Sequence, residues 1–282
     1  CGCGEPFGTC PLWTAVGEAA FGGWKAPDME RLADLRFAVA RQRQVPALLA
    51  LARGRGDAEL REGVAAYQRG YGAIYAGIAE ATGASVIVDA SKGPAHGLAL
   101  GLRLPQAPAP YELAMVNLVR DPRGVAYSWS KRQTARPQAG TADEKGALMW
   151  KISAERSALQ WAALQSEMEL IGKVARIPTA RLRYEELVRD PAGAVTSLAR
   201  RLGIPLGPDA LDHIEGTTVS LTASHGLSGN PGRFTSGSIT LTSDEAWHEG
   251  LSRRDRLFVS AATLPWLAAY RYPIRTTTRN PS

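Results

Sequence analysis

A chain of 282 residues, 45% hydrophobic and 21% charged, can bury a full core as one large α/β domain or two smaller ones. Its net charge of +6 suits a small anionic ligand and is too weak and dispersed to argue for nucleic acid. No apolar run reaches the ~18 residues of a membrane span, and no signal-peptide core is visible.

Residues 1–27 are rich in Gly, Pro and Cys and read as an irregular lead-in with a short helix near 12–20. They hold all three cysteines, Cys1, Cys3 and Cys10. Zinc sites take four ligands and an odd cysteine count leaves one thiol over, so a local disulfide or free thiols outweigh a metal site, and no metal is expected. The absence of cysteine elsewhere fits a cytoplasmic enzyme. A helix begins at Asp28 with Leu32, Leu35 and Val39 on one face, and Pro46 starts another segment ending at Arg53. Asp57 is a good N-cap for an amphipathic helix carrying Val64, Tyr67, Tyr71, Ile74 and Ile78, which stops at Gly83.

Ser85–Val88 reads as a strand running into Asp89-Ala90-Ser91-Lys92, and Pro94 opens a helix through Leu104. Met115–Val119 reads as a buried strand and Asp121–Arg132 as the helix after it, with Asp121 as cap and Pro122 in the first turn. A polar loop is expected over 132–146, a long helix over Lys145–Gly172 and a third strand over Thr179–Tyr184. Asp190 and Pro191 cap a helix whose Val195, Leu198 and Leu202 face inward and which Gly203 closes. Residues 217–242, dense in Ser, Thr and Gly, show little periodicity and read as a long functional loop. Two short helices, Asp244–Gly250 and Arg253–Leu264, and a frayed tail over 274–282 complete the chain. Strands alternating with helices imply βα units and a mainly parallel sheet, although three strands are few for one.

The chemistry-bearing residues gather at strand ends. Arg120 stands where a strand meets a helix, with Ser128 eight residues on. Ligands of open α/β sheets bind there, and an arginine beside helix-terminal amides suits a phosphate. Asp89, Ser91 and Lys92 could act as base, donor and transition-state cation. Tyr184 could stack on a base or hydrogen-bond to it, and the stretch 224–234 adds glycines with His225 and Arg233. Taken singly, each has a plain structural explanation: an arginine paired with a carboxylate, a helix-capping turn, a core tyrosine, turn glycines. Four such groups, three of them following strands, are harder to dismiss.

These residues resemble the sulfotransferases that use 3′-phosphoadenosine 5′-phosphosulfate (PAPS), particularly the bacterial carbohydrate- and small-molecule-type members. The similarity runs from about Cys3 to Pro273, through CGCGEPFGTCPLW, VIVDASKGPAHGLAL, VNLVRDPRGVAYSW, RYEELVRDP, GNPGRF and the C-terminal DEAWHEGLSRRDRLFVSAATLPWLAAYRYP. The resemblance implies one P-loop-type three-layer α/β domain over 1–282, with helices flanking a central, mainly parallel sheet. It implies that Arg120 and Ser128 hold the 3′-phosphate and that Tyr184 contacts adenine. It also implies that the 217–242 loop covers the nucleotide through His225 and Gly226, with Arg233 beside it. Lys92 is then the candidate catalytic cation and Asp89 the candidate base, with His96 a weaker alternative. The family's first strand and its phosphosulfate-binding turn are not in this sequence. Truncation upstream of Cys1 is expected to explain this, leaving the chain on its own weakly active or inactive. The acceptor, a carbohydrate, lipid or small molecule, and the oligomeric state are left open. Rival readings are a P-loop small-molecule kinase and a non-catalytic nucleotide-binding relative.

Overall fold

The computed structural model describes residues 1–90, 93–104, 111–131, 151–222, 224–227 and 236–274. Helices dominate the N-terminal part because the sequence supplies their ends. Helix α1 (Pro11–Phe21) starts on a proline and closes at Gly22, whose φ of 64° is easy only for glycine. Helices α2 (Ala26–Val39) and α3 (Val45–Ala52) lead to α4 (Ala58–Thr82), where the Leu60 amide donates to Asp57 Oδ1 at 2.6 Å. Helix α5 (Pro94–Gly101) completes this layer.

Val64, Tyr67, Leu48, Leu98 and Ile171 meet in one core between these helices. Each such side chain contributes about 1.5–3 kcal/mol on burial. Buried Gln68 of α4 donates through Nε2 to the carbonyls of Ala99 and Leu102, both at 2.8 Å. It thereby satisfies carbonyls that the end of α5 would otherwise leave unpaired. Helix α1 lies directly on α4 at Gly77, where a Cβ would come 2.9 Å from the Val16 carbonyl oxygen.

Strand β1 (Met115–Val119) is followed by α6 (Pro122–Ser130), α7 (Ala154–Val174) and β2 (Thr179–Arg183). The two strands pair in parallel, from Met115 with Thr179 to Val119 with Arg183. Helices α8 (Tyr184–Arg189) and α9 (Pro191–Leu202) continue the chain, the latter capped by Asp190 Oδ1 on the Gly193 amide at 3.0 Å. A small antiparallel sheet, β3 (Ile214–Glu215), β4 (Thr218–Leu221) and β5 (Gly237–Thr240), precedes α10 (Trp247–Gly250), α11 (Arg253–Ala262) and α12 (Leu264–Ala269). The C-terminal end packs Leu267, Tyr270 and Tyr272 on Val119 and Trp161 beside β1.

Three expectations need correction. Ser85–Val88 forms no ladder, and Val88 is 86% exposed. An apolar run becomes a strand only when a neighbour takes its backbone groups. Strand β1 is buried only at Val119, with Val116 and Leu118 exposed. Among the described residues the parallel sheet therefore has two strands and is small for a three-layer fold. The stretch 217–242 is not all loop, since β4 and β5 pair within it. The expected loop over 132–146 falls outside the described residues, and the long helix expected from Lys145 begins at Ala154, with Ser153 as its cap. Among the described residues no helix is long and apolar enough to cross a membrane.

The α1–α4 contact gives a test. Gly77→Ala should lose about 1–2 kcal/mol of stability in urea unfolding, because overpacking against the Val16 carbonyl exceeds the helix-propensity gain of about 1 kcal/mol. Gly8→Ala, where a Cβ meets nothing within 4 Å, should stay within about 0.5 kcal/mol of the parent.

Candidate active site

Parallel register decides which side chains meet. Val119 pairs with Arg183, so the residues that follow, Arg120 and Tyr184, leave the sheet side by side. The Arg120 guanidinium lies over the Tyr184 ring, 4.9 Å from its centroid, a cation–π contact. Arg120 folds back over the first turn of α6, where a Cβ on Gly124 would come 3.2 Å from Nε. Ser128 follows Gly124 by one helical turn, so it stands on the same face of α6, and it is exposed. Arg120 and Tyr184, both singled out from the sequence, thus share one end of the small sheet, and Ser128 lies further along α6.

Asp244 holds Arg120 from outside. Arg120 Nη2 donates to Asp244 Oδ2 at 3.0 Å and to its carbonyl at 3.2 Å. Burial alone would raise the Asp244 carboxyl, but hydrogen bonds from Arg120 and the Ala246 amide, with the Arg120 charge, hold it below the usual carboxylate value. This is the plain carboxylate pairing that the sequence also allowed.

Beneath Arg120 the chain is braced. Asp121 Oδ1 accepts from the Arg123 amide at 2.9 Å and from Arg123 Nε at 2.8 Å, while Oδ2 accepts from Nη2 at 2.6 Å. The Asp121 amide donates to Glu185 Oε1 at 3.0 Å. The Tyr272 hydroxyl lies 2.9 Å from Glu185 Oε2 and 3.2 Å from the Val119 carbonyl. Burial first, and then the Glu185 charge, push the Tyr272 phenol well above its ordinary value, so it stays a donor. The sequence marked Asp121 as a cap but gave no role to Arg123, Glu185 or Tyr272.

A second group surrounds Asp89. Tyr75 donates to its Oδ2 at 3.0 Å, and buried His96 places Nε2 4.0 Å from the same oxygen. His96 Nδ1 lies 2.6 Å from the Tyr67 hydroxyl. Burial, followed by the Asp89 charge, raises the Tyr75 phenol far above its usual value. Tyr67 was legible only as a member of a helical core stripe and Tyr75 was not singled out; their polar ends become meaningful once α5 lies against α4. Lys92, Ser91 and Arg233 fall outside the described residues.

The third group joins the chain's distant parts. His225 Nδ1 lies 3.2 Å from Cys10 Sγ and 3.6 Å from Cys1 Sγ. The Gly226 carbonyl accepts from the Gly2 amide at 2.8 Å. No disulfide joins the three cysteines.

The Arg120–Asp244 pair predicts a pH response. A carboxyl whose folded pKa is depressed contributes stability above its unfolded pKa of about 3.9 and loses it as pH falls through the folded value. Asp244→Asn should therefore lower the unfolding midpoint at pH 7, and the gap between parent and variant should close as pH falls below the ordinary carboxylate range. A constant gap across that range would show that the pair's charge is not what stabilises the fold.

Residues 104–224 match the family model described as the sulfotransferase domain. No curated protein matches the chain. The matched stretch begins just beyond α5, runs through β1, α6, β2 and β4, and includes Arg120, Ser128 and Tyr184. The likeness to the sulfotransferases read from the sequence holds over this stretch, which is similar to a sulfotransferase domain.

Proposed function

We propose that this protein transfers the sulfuryl group of PAPS to a hydroxyl or amine of a carbohydrate, lipid or small-molecule acceptor. The observation that carries this reading is Arg120 laid over Tyr184 at the ends of two parallel strands, inside the stretch that matches the sulfotransferase domain. In this reading Arg120 and Ser128 hold the 3′-phosphate of the donor and Tyr184 contacts adenine. A planar cation beside an aromatic face suits a ligand that joins a phosphate to a purine.

The reaction is an in-line displacement at sulfur. The acceptor's lone pair forms the new bond to sulfur, and the bond from sulfur to the 5′-phosphate oxygen breaks. The electron pair leaves on 3′,5′-ADP, and the acceptor proton passes to a base. Asp89 is the candidate base. Tyr75 donates to Asp89 Oδ2 and fixes one oxygen, and His96 stands behind it to accept or return a proton. Lys92, three residues beyond Asp89, is the candidate cation for the charge that develops on the transferred group. The kinase reading is weaker, because the matched family is a sulfotransferase domain.

Calorimetry with 3′,5′-ADP tests the assignment. Arg120→Ala should weaken binding roughly 10- to 100-fold, as expected for loss of a charge-assisted hydrogen bond worth about 1.5–3 kcal/mol. Unchanged affinity would remove the phosphate role. Tighter binding of ATP with Mg²⁺ than of 3′,5′-ADP would favour the kinase.

A further inference from the structure

Three cysteines from the lead-in and one histidine from the far side of the chain converge on a single point. The ligand atoms of Cys1, Cys3, Cys10 and His225 all lie within 4.8 Å of one another. Cys10 Sγ is 3.5 Å from Cys1 Sγ, 3.7 Å from Cys3 Sγ and 3.2 Å from His225 Nδ1. Cys1 Sγ is 3.6 Å from the same nitrogen. A disulfide would bring two sulfurs to about 2.0 Å. A tetrahedral zinc ion with Zn–S of about 2.3 Å and Zn–N of about 2.0 Å sets S···S edges near ~3.8 Å and S···N edges near ~3.5 Å. The four distances fall close to those edges.

We propose that Cys1, Cys3, Cys10 and His225 Nδ1 bind one Zn²⁺ ion in a closed, four-ligand site. Three thiolates and an imidazole are soft and borderline donors, which favour zinc over magnesium or calcium. The expectation of no metal counted only the cysteines; His225 supplies the fourth donor.

The surroundings hold the donors in place. Gly4, at φ +92°, donates its amide to the Cys1 carbonyl at 3.0 Å and turns the Cys-x-Cys segment on itself. Gly2 between the two ligands has no room for a side chain, since a Cβ would lie 2.2 Å from the Ser224 carbonyl oxygen. Trp13 Nε1 donates to the His225 carbonyl at 2.8 Å, which fixes the backbone of the histidine ligand. Cys10 is the N-cap residue of α1 and is fully buried. These contacts do for the ligands what outer partners do in metal sites generally.

Four protein ligands leave no position for a substrate, so the ion is structural and takes no part in the transfer. It clips residues 224–227 to the lead-in. His225 Nδ1 is then committed to the metal, and the nucleotide contact assigned to His225 from the sequence does not use that atom. All four ligands lie outside residues 104–224, so the clip is an addition to the matched domain, independent of whether its donor is PAPS.

Elemental analysis of the purified chain should find one zinc per chain, and X-ray absorption should show three sulfurs and one nitrogen around it. Cys10→Ser and His225→Ala should each lower zinc affinity by more than about 100-fold, beyond what loss of an outer partner costs. Ligand variants can fail to fold, so a second measurement uses the unaltered chain. Removing the metal with a chelator should lower Tm, Zn²⁺ should restore it, and Co²⁺ should produce a thiolate-to-cobalt charge-transfer band. Purified chain without stoichiometric zinc and without that cobalt band overturns the proposal, as does a metal shell containing no sulfur. Zinc content and nucleotide affinity are read separately, so failure of one leaves the other standing.

Discussion

Between Asp121 and Arg123 lies an ion pair almost sealed from water, the arginine side chain being 0% exposed. Asp121 satisfies the first turn of α6 and the guanidinium together, and Arg123 Nη2 reaches the Pro273 carbonyl at 2.9 Å. The guanidinium also lies over the Trp247 ring, 4.6 Å from its centroid. Breaking such a pair by removing one partner typically costs about 3–5 kcal/mol, because the other charge stays buried alone. The pair fixes where β1 ends and α6 begins. Through the Asp121 amide, Glu185 and Tyr272 it also ties that junction to the start of α8 and to the C-terminal segment. Arg120 projects from this braced corner, so its direction is set by neighbours that have no contact with a ligand.

The outer contact of Arg120 is of a different kind. Its pair with Asp244 is part-exposed, with side-chain exposures of 22% and 37%. Pairs of that sort are worth about 0–1 kcal/mol. In the proposed reading, a phosphate offering two or three charged oxygens displaces Asp244 at small cost, and Asp244 holds the guanidinium in place until then. The buried pair is rigid and the exposed pair exchangeable, which is the division an anion site needs.

Sequence reading succeeded where the signal was local. Asp57, Asp121 and Asp190 all cap as expected, because a cap bonds to amides two or three residues away. Gly83 and Gly203 close helices at φ 67° and 69° for the same reason. The Arg120–Tyr184 meeting was not foreseen; it comes from two parallel strands that end in step. Ser85–Val88 failed because composition cannot supply a partner strand. Strands β4 and β5 were missed because Ser, Thr and Gly, half exposed, leave almost no apolar alternation to read. Arg123 and His225 draw their meaning from partners 150 and 215 residues distant. No spacing rule reaches that far.

The lead-in poses its own physical problem. Of residues 1–10 only Cys1 and Cys10 are buried, and Phe7, packed on Trp13 and Trp24, is the one large apolar side chain the segment brings. Its ordering entropy, about 1–2 kcal/mol per residue for the backbone alone, is more than the burial of one phenylalanine offsets. Thiols resting against one another and an imidazole supply little, since sulfur is a weak donor and acceptor. Metal–thiolate bonds supply a great deal, with apparent binding free energies of about 10–16 kcal/mol in small zinc-dependent folds. An irregular glycine-rich segment, with both of its buried side chains being cysteines aimed at a distant histidine, is the arrangement in which a metal ion does the work of a core.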